Sequence, residues 1–143
     1  MKLKSITLVC SVLFLVLVGA CKKEGCDDQF ALNYNSKVNS NNGSCLYELK
    51  AVFWYDDSTS VHLQNDNITS LRFFVDDNLI GTKLASEFWA TEPDCGFGMN
   101  FRENSPLTTT SHDYYVRDQN DIVVWSGTLT LGVGVCISKE MTY

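Results

Sequence analysis

The chain changes its pattern of apolar and polar positions twice. Residues 6–18 form one apolar run broken only by Thr7, Cys10 and Ser11, with Lys2 and Lys4 ahead of it. Residues 22–46 are polar, rich in Asn, Asp, Ser and Gly, and show no period. From residue 49 onward the apolar positions return in short runs of β type. Ala51 to Tyr55 is a continuous apolar strand closed by Asp56-Asp57-Ser58. Leu71, Phe73 and Val75 alternate with Arg72 and Asp76, with Phe74 breaking the polar face; Asp77-Asn78 supplies a two-residue turn, and Leu79 to Leu84 forms the returning arm of a hairpin. Met99 and Phe101 mark another short strand. Tyr114 to Arg117 runs into a turn at residues 118–121. In the following run, Val123, Trp125, Leu129 and Leu131 share one parity while Ser126, Thr128 and Thr130 share the other, as in a strand with one buried face. Gly132-Val133-Gly134 then turns the chain into a closing strand that carries Val135, Ile137, Met141 and Tyr143.

No window sustains a helical period. The pattern therefore predicts an all-β fold, a small antiparallel β-sandwich over residues 49–143, preceded by a loop-rich segment. Trp54 and Trp125 are expected in its core.

The N-terminal run of about 13 apolar residues is too short for the roughly 20 that cross a bilayer as a helix. Together with its basic start it reads as a cleaved signal over residues 1–20. Its ending, Leu17-Val18-Gly19-Ala20-Cys21, places small residues directly before a thiol, the arrangement of bacterial lipoprotein signals. This predicts diacylglycerol on Cys21 and attachment to a membrane through that lipid. The plain alternative is a secretory signal cut near Ala20, with Cys21 free to pair with another thiol. No aspartate follows Cys21, so outer-membrane residence is expected. Lys22-Lys23-Glu24 partly resembles the export tag of Bacteroidetes-type surface lipoproteins, which implies display at the cell surface.

The whole chain has 11 Lys and Arg against 17 Asp and Glu; removal of Lys2 and Lys4 leaves 9 against 17, a formal charge of −8. That balance argues against nucleic acid as a partner. Of six cysteines, Cys10 leaves with the signal and Cys21 takes the lipid. Cys26, Cys45, Cys95 and Cys136 remain, an even set in an oxidising compartment. Four cysteines allow three pairings. Cys26 with Cys45 and Cys95 with Cys136 keeps each bridge inside one compositional segment. A zinc site lacks both Cys-x-x-Cys spacing and a nearby histidine.

Residues 25–47 read GCDDQFALNYNSKVNSNNGSCLY. With Gly25, Cys26, Asp28, Ala31, Asn33, Tyr34, Asn35, Gly43, Ser44, Cys45 and Tyr47 in place, this stretch resembles a repeat of Bacteroidetes surface and secreted proteins. The likeness implies a miniature stapled unit, here bounded at residues 21–48, that is too small to fold on a core of its own. Asp27, Asp28, Asn33, Asn35 and Asn42 could offer oxygen ligands to calcium. Asn41-Asn42 stands where the repeat usually has two acids, however, and asparagines that build turns are the competing reading.

The second part resembles a small β-sandwich of Bacteroidetes lipoproteins, built like carboxypeptidase-regulatory or transthyretin-type modules. Phe53-Trp54, Val75 to Thr82, Pro93 to Gly96, Trp125 to Thr128 and Cys136 carry that likeness. It implies the Cys95–Cys136 bridge and no activity, and it departs at Ser111-His112-Asp113, where an altered loop is expected.

Those three consecutive residues cannot converge as nucleophile, base and orienter. His62 and His112 stand in no metal-binding spacing and read as surface residues, and the pairs Asp56-Asp57 and Asp76-Asp77 fall at turns. No catalytic residue is assigned and no enzyme is expected. Phe88 and Trp89 are candidate contacts for a glycan or protein partner; the competing reading has them end a strand and pack over the Cys95–Cys136 bridge. The function expected is that of an outer-membrane or surface lipoprotein with a binding or envelope-structural role, the alternative being a carbohydrate-binding or calcium-dependent adhesion module.

Overall fold

The computed structural model of the protein describes residues 22–143; the apolar N-terminal run and Cys21 lie outside them. The stapled segment holds two parallel two-residue strands, β1 (Glu24–Gly25) and β2 (Ser40–Asn41). Beyond it come β3 (Tyr47–Trp54), helix α1 (Asp57–Asn65), β4 (Ser70–Val75), β5 (Asn78–Leu84), β6 (Met99–Ser105), β7 (Thr109–Asp118), β8 (Val123–Gly132) and β9 (Cys136–Glu140). Two sheets form the sandwich: a three-stranded one in the order β6-β3-β9 and a four-stranded one in the order β5-β4-β7-β8.

The four-stranded sheet is antiparallel throughout. The smaller sheet is mixed, since β3 pairs antiparallel with β6 but parallel with β9, with Lys50 opposite Cys136 and Trp54 opposite Glu140. A wholly antiparallel sandwich is thus corrected at one ladder.

Alternation decides which residues go inside. Leu71, Phe73 and Val75 of β4, Tyr114 and Val116 of β7, and Leu129 and Leu131 of β8 are buried at every second position. They face Tyr47, Leu49, Ala51 and Phe53 of β3. The Phe53 ring sits 5.9 Å from that of Phe73 and meets Tyr114 edge-on at 5.2 Å, so one side chain bridges both central strands of the opposite sheet. Val52, on the other face of β3, is also buried, beneath the β5–β6 connection. There Gly98 takes φ +93°, a conformation that L side chains rarely adopt, and a Cβ on it would crowd Val52 at 3.1 Å and Trp89 at 3.0 Å.

The β4–β5 turn falls one position earlier than expected. Val75 pairs with Asn78, so Asp76 and Asp77 are the central residues, both at positive φ (47° and 64°), as a type I′ turn requires. Asp tolerates that region better than most residues because its short side chain bonds locally.

Helix α1 is a departure from the sequence reading. Its buried face is Thr59, Ser60 and Leu63, too polar to register as an apolar stripe. Asp56 caps the first turn by accepting from the Thr59 N–H at 2.8 Å, which holds its carboxyl below the usual pKa. The far end closes through a left-handed Asn67 (φ 61°), with Asn67 N–H donating to Gln64 C=O and Ile68 N–H to Leu63 C=O. This is a Schellman closure with Asn in the place of Gly, and buried Ile68 supplies the apolar contact that goes with it. Ser60 donates to the Ala85 carbonyl at 2.7 Å and so satisfies the polar buried face.

Both bridges form as paired by composition, Cys26–Cys45 and Cys95–Cys136. Their chain separations of 19 and 41 residues correspond to about 3 and about 4 kcal/mol of lost unfolded-state freedom. Cys26, Ala31 and Cys45 are buried in the same cluster as Tyr47 and the sandwich core, so the stapled segment adds to that core.

Truncating the one apolar anchor of α1, Leu63→Ala, should lower stability by about 3 kcal/mol in urea unfolding. An effect under about 1 kcal/mol would mean that the helix does not pack as described.

Candidate functional site

A groove of about 540 Å³ opens at the end of the sandwich where α1 finishes and the β7–β8 turn begins. Trp125 and Tyr143 form its aromatic wall, Ile122 and Val123 its apolar rim, and Asp66 supplies a carboxylate. Each part is held by a specific contact. The Trp125 indole N–H donates to the Thr142 carbonyl at 2.8 Å, tying the last residues of the chain to β8. Its ring lies 6.3 Å from Tyr55 on one side and meets Tyr143 edge-on at 6.3 Å. The Tyr143 hydroxyl donates to Asp66, a hydrogen bond that leads desolvation and charge in raising the phenol above its ordinary pKa. His62 of α1 stacks nearly parallel on Tyr143 at 6.3 Å.

Asp118, which also borders the groove, is buried and occupied. Its carboxylate accepts from the Asn120 and Ile122 N–H groups at 2.8 Å each and builds the turn whose left-handed residue is Asp121. Arg72 donates to the Asp118 carbonyl and to Asp121 at 2.8 Å, bracing the same turn from β4. The groove therefore has a fixed frame, with Ile122 62% and Tyr143 52% exposed.

The sequence reading placed these aromatics differently. Trp125 and Trp54 are both half-buried, not core, and Trp54 donates to the Ser138 hydroxyl at 3.0 Å. Tyr143 lies beyond β9, which ends at Glu140. Phe88 and Trp89 lie in the β5–β6 connection, four and five residues past the end of β5 at Leu84. Trp89 carries the Lys83 ammonium 3.8 Å above its ring, meets Tyr55 edge-on and lies against Gly98. Its surfaces are thus largely taken by the protein, while Phe88 stays exposed.

The five candidate calcium ligands are engaged in the stapled segment. Asp27 accepts from the Asn41 amide, Asp28 from Phe30 N–H and the Tyr47 hydroxyl, and Asn33 from Leu46 N–H. Asn35 and Asn42 accept from the N–H groups of Lys37 and Ser44, two residues on. Those last two contacts are Asx turns, which need no ion.

The segment Ser111-His112-Asp113 is not a loop but the middle of β7, and His112 is a buried residue, not a surface one. Its ring sits between carboxylates from two other elements: Nδ1 lies 2.6 Å from Asp76 of the β4–β5 turn and Nε2 lies 2.9 Å from Glu103 of β6. Phe101 packs edge-on at 5.1 Å. Burial alone would lower the ring's pKa, but the hydrogen bonds and charges of Asp76 and Glu103 outweigh it and the net effect is a rise. Thr110 Oγ1 also lies 2.9 Å from Nε2, so the atoms of an acid–base–hydroxyl relay are present. Glu103, however, accepts from Nε2 and from the Thr110 hydroxyl alike. Shared between the ring and the Thr110 hydroxyl, Glu103 ties β6 to β7, and with Asp76 on the other ring nitrogen the arrangement forms a hydrogen-bonded clasp between the sheets. The signal in the sequence was the position of His112 on the same parity as Tyr114 and Val116.

Comparison with protein-family models, with curated proteins and with solved structures finds no match for this chain. The chain is an all-β, two-sheet sandwich carrying two disulfides.

Two outcomes follow. Because the folded state raises the His112 pKa, its stabilisation should be complete below the ring's ordinary value of 6.5 and fade as pH rises through the higher folded value. The melting-temperature gap between the native protein and His112→Gln should accordingly be widest below pH 6.5 and shrink in alkali; a gap that grows with pH would contradict the clasp. EDTA should leave the melting temperature unchanged to within about a degree, since the turn carboxylates and amides already have donors.

Proposed function

We propose that the protein is a lipid-anchored binding protein of the outer cell envelope, tethered at Cys21 and offering the Trp125–Tyr143 groove to a ligand. The observation that carries this reading is placement. β3 and β9 run parallel, so both lead away from the stapled segment, and the groove lies past the far end of β9, at Thr142–Tyr143. A tether at Cys21 leaves that end clear of the membrane. The signal-like N-terminus, the missing aspartate after Cys21 and the two disulfides support an extracytoplasmic address.

A saccharide is the ligand class that the groove favours. A sugar offers an apolar C–H face to an aromatic ring and hydroxyls to a carboxylate, and Tyr143 with Asp66 presents that combination, rimmed by Ile122 and Val123. The resemblance to Bacteroidetes surface lipoproteins agrees with such a role.

Screening the mature protein on a glycan array should give binding that Tyr143→Ala reduces at least about tenfold, while Phe88→Ala leaves it unchanged. Binding lost with Phe88→Ala and kept with Tyr143→Ala would move the site to the β5–β6 connection. No binding to any glycan would leave a protein partner as the ligand class.

A further inference from the structure

The opposite end of the sandwich carries a second concavity, of about 360 Å³, with a different character. Phe30 and Leu32 of the stapled segment and Val135 before β9 gather around the Cys95–Cys136 bridge, and these three are 71%, 59% and 53% exposed. Gly134, at φ +74°, brings the β8–β9 turn against Phe30: a Cβ there would lie 3.5 Å from its ring. The charged residues lining the concavity, Glu48 and Lys50, are paired with each other at 3.0 Å, and Arg102 reaches Glu48 at 3.2 Å. In a chain of formal charge −6, this face thus shows apolar side chains and no unpaired acid. Three large apolar side chains clustered and exposed in this way mark a contact surface.

The length of chain before β1 says what covers it. Cys21 stands three residues ahead of Glu24, which spans at most about 10 Å. An acyl group on Cys21 would therefore hold the stapled segment against the bilayer, with Lys22 and Lys23 between them. We infer that Phe30, Leu32 and Val135 form a membrane-resting face that seats in the lipid interface and fixes the orientation of the sandwich. The inference rests on the proposed anchor. Phenylalanine and leucine are side chains that insert at the acyl–headgroup boundary, and a weak surface contact becomes persistent once a tether keeps it within reach.

Phe30→Trp places a reporter on this face, and Leu79→Trp places one on the exposed β4–β5 hairpin. The lipidated protein, its acyl chains verified by mass spectrometry, is put into phosphatidylethanolamine–phosphatidylglycerol vesicles whose acyl chains carry bromine. The emission added by Phe30→Trp should fall at least about twofold, and that added by Leu79→Trp should not change. Absence of quenching at residue 30, equal quenching at both positions, or protection of Phe30 through dimerisation seen by sedimentation would overturn the inference. If mass spectrometry shows no acyl chain, the anchor fails; the same measurement is then made with a histidine tag in place of residues 1–21 bound to chelator lipids, and quenching at residue 30 alone would still establish the face.

Discussion

Burial of β3 against the inner faces of β4 and β7 is the constraint from which the rest of the molecule follows. Phe53 touches both strands at once through Phe73 and Tyr114, so the two sheets cannot slide without opening that seam. Everything attached to β3 takes its place from this contact. β9 lies beside it in parallel, α1 leaves from its end through the Asp56 cap, and the stapled segment feeds into its start. The Cys95–Cys136 bridge then fastens the β5–β6 connection to β9, an edge strand whose one ladder is with β3.

Strands with one buried face were legible in the sequence because a period of two is visible whenever apolar and polar residues alternate. Leu71, Phe73 and Val75 illustrate this, as do Leu129 and Leu131. Helix α1 is not legible, because its interior face carries Thr59 and Ser60 beside Leu63, and the Ser60 hydroxyl is satisfied by the Ala85 carbonyl, 25 residues further along the chain. The β4–β5 turn was misplaced by one residue because Asp76-Asp77 and Asp77-Asn78 have equal turn chemistry; only the pairing of Val75 with Asn78 separates them. The interior place of His112 is hidden for a related reason. A histidine between two serine or aspartate neighbours looks solvated, and what makes it interior is a pair of carboxylates distant in sequence, at residues 76 and 103.

The groove was the least legible feature. Its wall comes from Trp125 at the start of β8 and Tyr143 after β9, and its carboxylate from Asp66 after α1, three places that no local pattern links. Trp89 stands out in the sequence with Phe88 as a pair of adjacent aromatics, yet Lys83 covers its ring and Tyr55 meets its edge. Phe30 and Leu32, both exposed, lie in a segment whose polar composition hides them.

The parallel pairing of β3 with β9 has a mechanical consequence. A ligand held at one end of the sandwich and a tether at the other would pull along both strands in opposite senses, loading their ladder in shear. In shear the backbone hydrogen bonds from Lys50–Cys136 to Trp54–Glu140 bear the force together instead of parting one after another. Under the proposed anchoring, this ladder would therefore resist extension along the line from the tether to the groove.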